Sequence, residues 1–158
     1  MSVPRAFGCR GIAPIKAGET DHGRCDADAS TRQRLLVEDE LLISNVAAEA
    51  LEEQGFAVET VSNANDALLR IRTGSPVDIL FTDVNLAGGM DGATLARRAR
   101  ELRPDLPVIY TSGRQSAIQG LDPVDGAMFV PKPYDLFNLG RLLQYLIVAK
   151  RTRADAFA

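Results

Sequence analysis

The chain has 158 residues, of which 46% are hydrophobic and 25% charged, and a formal net charge of -3. That length allows one domain with a full core and excludes two of ordinary size. The slightly acidic balance offers no positive field for nucleic acid, and no run of about 18 apolar residues is present to span a membrane.

Residues 1–32 follow neither a helical nor a strand period. Glycines, Pro4, Pro14 and mixed charges leave little apolar surface to bury, so the segment is expected to be a flexible extension. Cys9, Cys25 and His22 fall within it. Two cysteines make no disulfide framework, and three donors fall short of a four-ligand metal site. A continuous apolar run of the signal-peptide kind is missing as well, which makes a cytoplasmic location the expectation.

From Gln33 the pattern becomes regular. Leu35-Leu36-Val37 reads as a short buried strand. Residues 40–54 then read as a helix, with Leu42, Ile43, Val46, Ala47, Ala50 and Leu51 at helical spacing and Gly55 as its stop. Residues 56–61 alternate and are rich in β-branched side chains, as a strand does. Ser62 or Asn63 caps a second helix through Ala67, Leu68, Leu69 and Ile71, which ends near Gly74-Ser75-Pro76.

Residues 77–82 form a buried strand, and the loop at 83–91 carries Gly88-Gly89. A third helix is expected over 92–103, with Leu95, Ala96, Ala99 and Leu102 inward. Its Arg97, Arg98, Arg100 and Arg103, like Lys150, Arg151 and Arg153, read as solvated helix faces. Val108-Ile109-Tyr110 is a fourth strand. Gly120, Pro123 and Gly126 limit the next helix to one or two turns near Gln115 to Gln119. Residues 127–130 are a short strand, and Asp135 opens a last helix to about Lys150 that uses Leu136, Leu139, Leu143, Leu146 and Ile147. Residues 151–158 are left as a tail.

Alternating strands and helices force parallel pairing with right-handed crossovers. The expected fold is therefore a doubly wound five-stranded α/β sheet of order 2-1-3-4-5 with a weak fourth helix. In such a sheet all strand C-terminal ends share one edge. Glu38-Asp39, Asp83, Thr111 and Lys132 each follow or end a strand, so the topology brings them together.

This set suits a phosphoryl group on a carboxylate beside a divalent cation. Asp83 is the candidate nucleophile, and a cation offsets the repulsion between two anions. Magnesium prefers such oxygen donors. Asp39 and Asp83 are candidate direct ligands, and Glu38 acts through water. Lys132 and Thr111 would bind phosphoryl oxygens. Each residue alone also has a plain explanation: Asp39 as a helix cap, Asp83 and Thr111 as turn residues, Lys132 as a solvated cation.

Four blocks, Leu35-Leu36-Val37-Glu38-Asp39-Glu40, Phe81-Thr82-Asp83-Val84-Asn85-Leu86, Tyr110-Thr111-Ser112-Gly113 and Val130-Pro131-Lys132-Pro133-Tyr134, resemble the signature of response-regulator receiver domains of two-component signalling. The resemblance covers roughly residues 33–148. It implies that Asp83 is the phosphoacceptor and that Asp39, Asp83 and the backbone carbonyl of Asn85 bind Mg2+. It further implies that Thr111 and Lys132 complete the active set, that Phe129 is the switch aromatic, and that the Lys132–Pro133 bond is cis. The implied phosphodonor is a histidine kinase or histidine phosphotransfer protein, and the output is contact with a protein target, with a homodimer compatible. On this reading the chain is a switch and not a metabolic enzyme.

Two features depart from the commonest pattern: Glu-Asp replaces Asp-Asp, and Ala87-Gly88-Gly89-Met90 replaces a tighter Pro-Gly turn. The rival readings are a pseudo-receiver that never takes phosphate and a receiver belonging to a hybrid histidine kinase. A phosphohydrolase of the haloacid dehalogenase type needs an acid two residues after the nucleophile, where this chain has Asn85.

Overall fold

A computed structural model describes residues 33–156. The expected extension at 1–32, with Cys9, His22 and Cys25, lies outside the described residues. Strands and helices alternate as β1 (Gln33–Val37), α1 (Leu41–Glu53), β2 (Ala57–Val61), α2 (Ala64–Arg72), β3 (Val77–Asp83), α3 (Gly92–Leu102), β4 (Val108–Ser112), α4 (Gln115–Gln119), β5 (Met128–Pro131) and α5 (Leu136–Ala156). All ladders are parallel, in the order β2-β1-β3-β4-β5.

The sheet divides two cores between its faces. Leu35, Val37, Leu80, Val108 and Tyr110 meet α2 and α3 through Ala64, Ala67, Ile71, Leu95, Ala96 and Ala99. The alternate residues Leu36, Ile79, Phe81 and Ile109 meet α1 and α5 through Ala47, Leu51, Leu139, Leu143 and Ile147. Successive strand side chains point to opposite faces, and both faces are covered, so the central strands are continuous apolar runs.

Local signals set the boundaries. Asn63, not Ser62, caps α2, its side-chain oxygen accepting from the Asp66 amide at 2.9 Å. Asp91 caps α3 by accepting from the Thr94 amide at 2.7 Å. Gly55 ends α1 with φ +86°, a conformation that disfavours any Cβ.

The structure corrects several expectations. α5 continues to Ala156 and does not stop near Lys150. No Gly or Pro follows Gly140, and Arg and Ala are good helix formers, so the polar stretch stays helical. At 21 residues α5 is about 31 Å long and overhangs the much shorter strands.

Leu42, Val46, Leu69 and Leu102 are exposed, although their spacing fits an inner stripe. Each helix covers only one sheet face, and in α1 the buried positions are Ser44, Ala47 and Leu51.

Two of the arginines are not solvated faces. Arg103 donates to the carbonyls of Ile71, Ser75 and Val77 at 3.2, 2.6 and 3.1 Å. Arg100 donates to those of Leu106, Pro104 and Asp125 at 2.6, 3.1 and 2.9 Å. Their planar forks satisfy carbonyls at helix ends and turns that would otherwise lack partners.

Candidate functional site

The parallel sheet brings the acidic, hydroxyl and cationic residues to one edge. Glu38 and Asp39 lie between β1 and α1, Asp83 ends β3, Thr111 and Ser112 end β4, and Lys132 follows β5. Asp83 is in register with Thr111, and Ser112 with Pro131.

Lys132 joins two of the acids. Its Nζ donates to Asp83 Oδ2 at 2.7 Å and to Glu38 Oε2 at 2.6 Å. The other Asp83 oxygen accepts from the Asn85 amide at 2.9 Å. Asp39 is exposed and accepts from the Ala87 amide at 3.3 Å, which links it to the β3–α3 loop. The Lys132–Pro133 peptide is cis.

Neither aspartate is occupied in capping a helix. The cap position of α1 is Glu40, without a side-chain cap bond, and α3 is capped by Asp91. Asp83 does brace the turn at Asn85, but the gathering of three acids and a lysine at one strand-end edge goes beyond that local duty and points to chemistry.

Burial shapes the charges. The Glu38 side chain is only 2% exposed, and loss of solvation pushes its carboxyl above the ordinary value despite the Lys132 contact. Burial also disfavours the Lys132 ammonium, but the hydrogen bonds to Asp83 and Glu38 outweigh it and hold the amine above its ordinary value. The lysine therefore stays charged while it bridges the acids.

Glu38, Asp39 and Asp83 can present carboxylate oxygens within 4.8 Å of one another. Around magnesium, opposite oxygens are about 4.2 Å apart, so a small contraction of a set that includes the exposed Asp39 meets the requirement. Three hard, anionic donors fit that ion.

Strand alternation separates the two hydroxyls. Ile109 faces α1 and α5, whereas Tyr110 belongs to the α2–α3 face. Thr111 therefore shares the face of Ile109, and Ser112 that of Tyr110. The Thr111 hydroxyl is buried without a hydrogen-bond partner. Phe129 stacks on Tyr110 with centroids 5.3 Å apart and planes at 30°.

A family model described as the response regulator receiver domain matches residues 35–144. The chain belongs to that family. CpdR, a response regulator receiver protein of Brucella abortus, is 32% identical over 118 residues, covering 73% of this chain and 96% of CpdR. The sensor kinase CckA of the same organism is 31% identical over 138 residues, 85% of this chain but only 14% of CckA.

Among solved structures, a response regulator receiver protein from Sinorhizobium medicae superposes with a TM-score of 0.70 at 28% identity, covering 75% of this chain and 96% of that one. The receiver domain of the hybrid histidine kinase CckA gives 0.62 at 30% identity, covering 72% and 97%.

As a receiver domain, this chain is a module of two-component signalling. Among the described residues no helix is long and apolar enough to cross a membrane.

Proposed function

We propose that the chain is a phosphorylation switch whose Asp83 accepts a phosphoryl group from a phosphohistidine on a kinase or phosphotransfer protein. The observation that carries this reading is the Lys132 bridge between Asp83 and Glu38, with Asp39 alongside. An oxygen of Asp83 attacks phosphorus, the P–N bond breaks, and its electron pair returns to the donor imidazole.

Asp39, Asp83, the backbone carbonyl of Asn85 and, through water, Glu38 would hold Mg2+, which offsets the repulsion between the two anions. Lys132 exchanges its Asp83 contact for a phosphoryl oxygen. Thr111, in register beside Asp83, would bind another phosphoryl oxygen with its hydroxyl, and Phe129 would be the switch aromatic.

Incubation with Mg2+ and acetyl phosphate tests the reading. Label is expected on the parent protein and absent from Asp83→Asn; equal labelling of the two would sink it.

A further inference from the structure

The hydroxyl oxygens of Thr111 and Tyr134 are buried with no hydrogen-bond partner among the described residues. An unpaired buried hydroxyl destabilises a fold, so each one calls for an explanation. Thr111 has one in its place beside Asp83 in register. The Tyr134 hydroxyl has none in the site as described so far.

Tyr134 follows Lys132-Pro133, and its ring meets Phe81 edge-on with centroids 5.6 Å apart and planes at 70°. Phe81 and Asp83 alternate on β3, so both point to the face of the sheet that carries α1 and α5. Glu38 continues the parity of Leu36 on that same face, its amide still donating to the Val61 carbonyl at 3.1 Å. Burial pushes the Tyr134 hydroxyl up to about 12, with Lys132, Glu38 and Asp83 acting on it electrostatically, so it stays protonated and able to donate.

The acceptors beside it are unequally satisfied. Both Asp83 oxygens are engaged, one by Lys132 at 2.7 Å and the other by the Asn85 amide at 2.9 Å. Glu38 Oε2 accepts from Lys132 at 2.6 Å, but Oε1 has only the Glu40 amide at 3.4 Å, beyond the usual length. With the Glu38 side chain 2% exposed, solvent does not make up the difference. One face of the sheet therefore holds a buried acceptor short of a donor and a buried donor without an acceptor.

We propose that Tyr134 is a positioning residue whose hydroxyl donates to Glu38 once Asp83 is phosphorylated. This rests on the phosphorylation reading above. A phosphoryl group raises the negative charge at Asp83 to about two, and Lys132 then shares its hydrogen bonds with the new oxygens. The buried Glu38 carboxylate is left with less of its cation and gains by taking a second donor. Tyr134 is carried on the same short segment as Lys132, so the movement of the lysine toward the phosphoryl group brings the phenol with it. The hydroxyl that is unpaired in the resting protein is paired in the phosphorylated one.

Tyr134→Phe keeps the ring on Phe81 and removes the hydroxyl. Beryllofluoride with Mg2+, an equilibrium mimic of a phosphoryl group on a carboxylate, is the probe. A hydrogen bond to a charged group corresponds to roughly 10- to 100-fold in an equilibrium constant. The variant should bind beryllofluoride more weakly than the parent by that factor, with an unchanged affinity for Mg2+ alone. In denaturant melts without the probe it should be at least as stable as the parent, because no unpaired hydroxyl is buried. The chain has three Tyr and no Trp, so near-ultraviolet difference spectra follow the phenols directly. Beryllofluoride should give the parent the red shift of a donating tyrosine, and Tyr134→Phe should lose it.

Equal beryllofluoride affinity in the two proteins overturns the assignment. A destabilised resting Tyr134→Phe overturns it too, since the hydroxyl would then already be partnered by water. Either result leaves the phosphorylation reading intact if acetyl phosphate labels Asp83 in the parent. A parent that takes no label overturns both.

Discussion

Lys132 sits between two carboxylates that would otherwise face each other, and that position decides what its removal does. Lys132→Met keeps the stem and deletes the charge, leaving Glu38 buried beside Asp83 with no cation. Breaking such a buried arrangement should cost about 2–4 kcal/mol. Millimolar Mg2+ can replace the missing charge, so the variant's thermal midpoint should rise with Mg2+ more than the parent's. An equal response in the two proteins would contradict this account. Glu38→Gln acts in the opposite sense. The folded protein favours the protonated form of Glu38, so ionisation costs stability as pH rises through its raised folded value. A neutral isostere escapes that cost and should stabilise by about 0.5–2 kcal/mol while weakening Mg2+ binding, read by denaturant melts and by metal titration. The residues that make up this balance were legible in the sequence because each follows an apolar strand. The Lys132–Glu38 contact was not, because it depends on how far a glutamate side chain reaches across the edge.

At the scale of elements, the caps and the arginine clamps decide how firmly the site is framed. Asp91 starts α3 directly after the loop that carries Asn85 and Ala87. Its bond from the Thr94 amide holds its carboxyl below the ordinary value of 3.8. That contribution is complete above pH 3.8 and fades as pH falls through the lower folded value. Asp91→Ala should therefore cost about 1 kcal/mol near neutrality. In urea melts the gap between variant and parent should narrow as the pH is lowered from about 6 toward about 3. A constant gap would mean that Asp91 acts by something other than its charge. Arg103 ties the end of α2 to the start of β3 through three carbonyls. Arg103→Lys keeps the charge but not the fork and should lose about 1.5–3 kcal/mol. Strand and helix order was readable from periodicity, and so was the short α4, from Gly120, Pro123 and Gly126. The arginine clamps were not, since their partners are carbonyls, which every residue carries and no side-chain pattern reveals.

For the molecule as a whole, the two cores show how the described residues frame the site. Among the described residues, every buried apolar side chain lies between Leu35 and Ile147, and the site residues fall inside the same limits. The order β2-β1-β3-β4-β5 places β1 and β3 together at the centre, so Glu38, Asp39 and Asp83 are carried by strands with neighbours on both sides. Lys132, by contrast, follows the edge strand β5, which is fixed by its single neighbour β4 and by α5 behind it. The site should therefore be sensitive to how α5 is seated, and Gly140→Leu tests that seating. Gly140 faces the exposed Gln54 side chain, whose amide nitrogen donates to the Leu136 carbonyl at 3.1 Å, and a larger residue there pushes that flexible side chain aside and breaks its tie to α5. The loss should stay within about 0.5–1.5 kcal/mol in denaturant melts. Full stability in Gly140→Leu would show that the Gln54 tie does not hold α5 against α1.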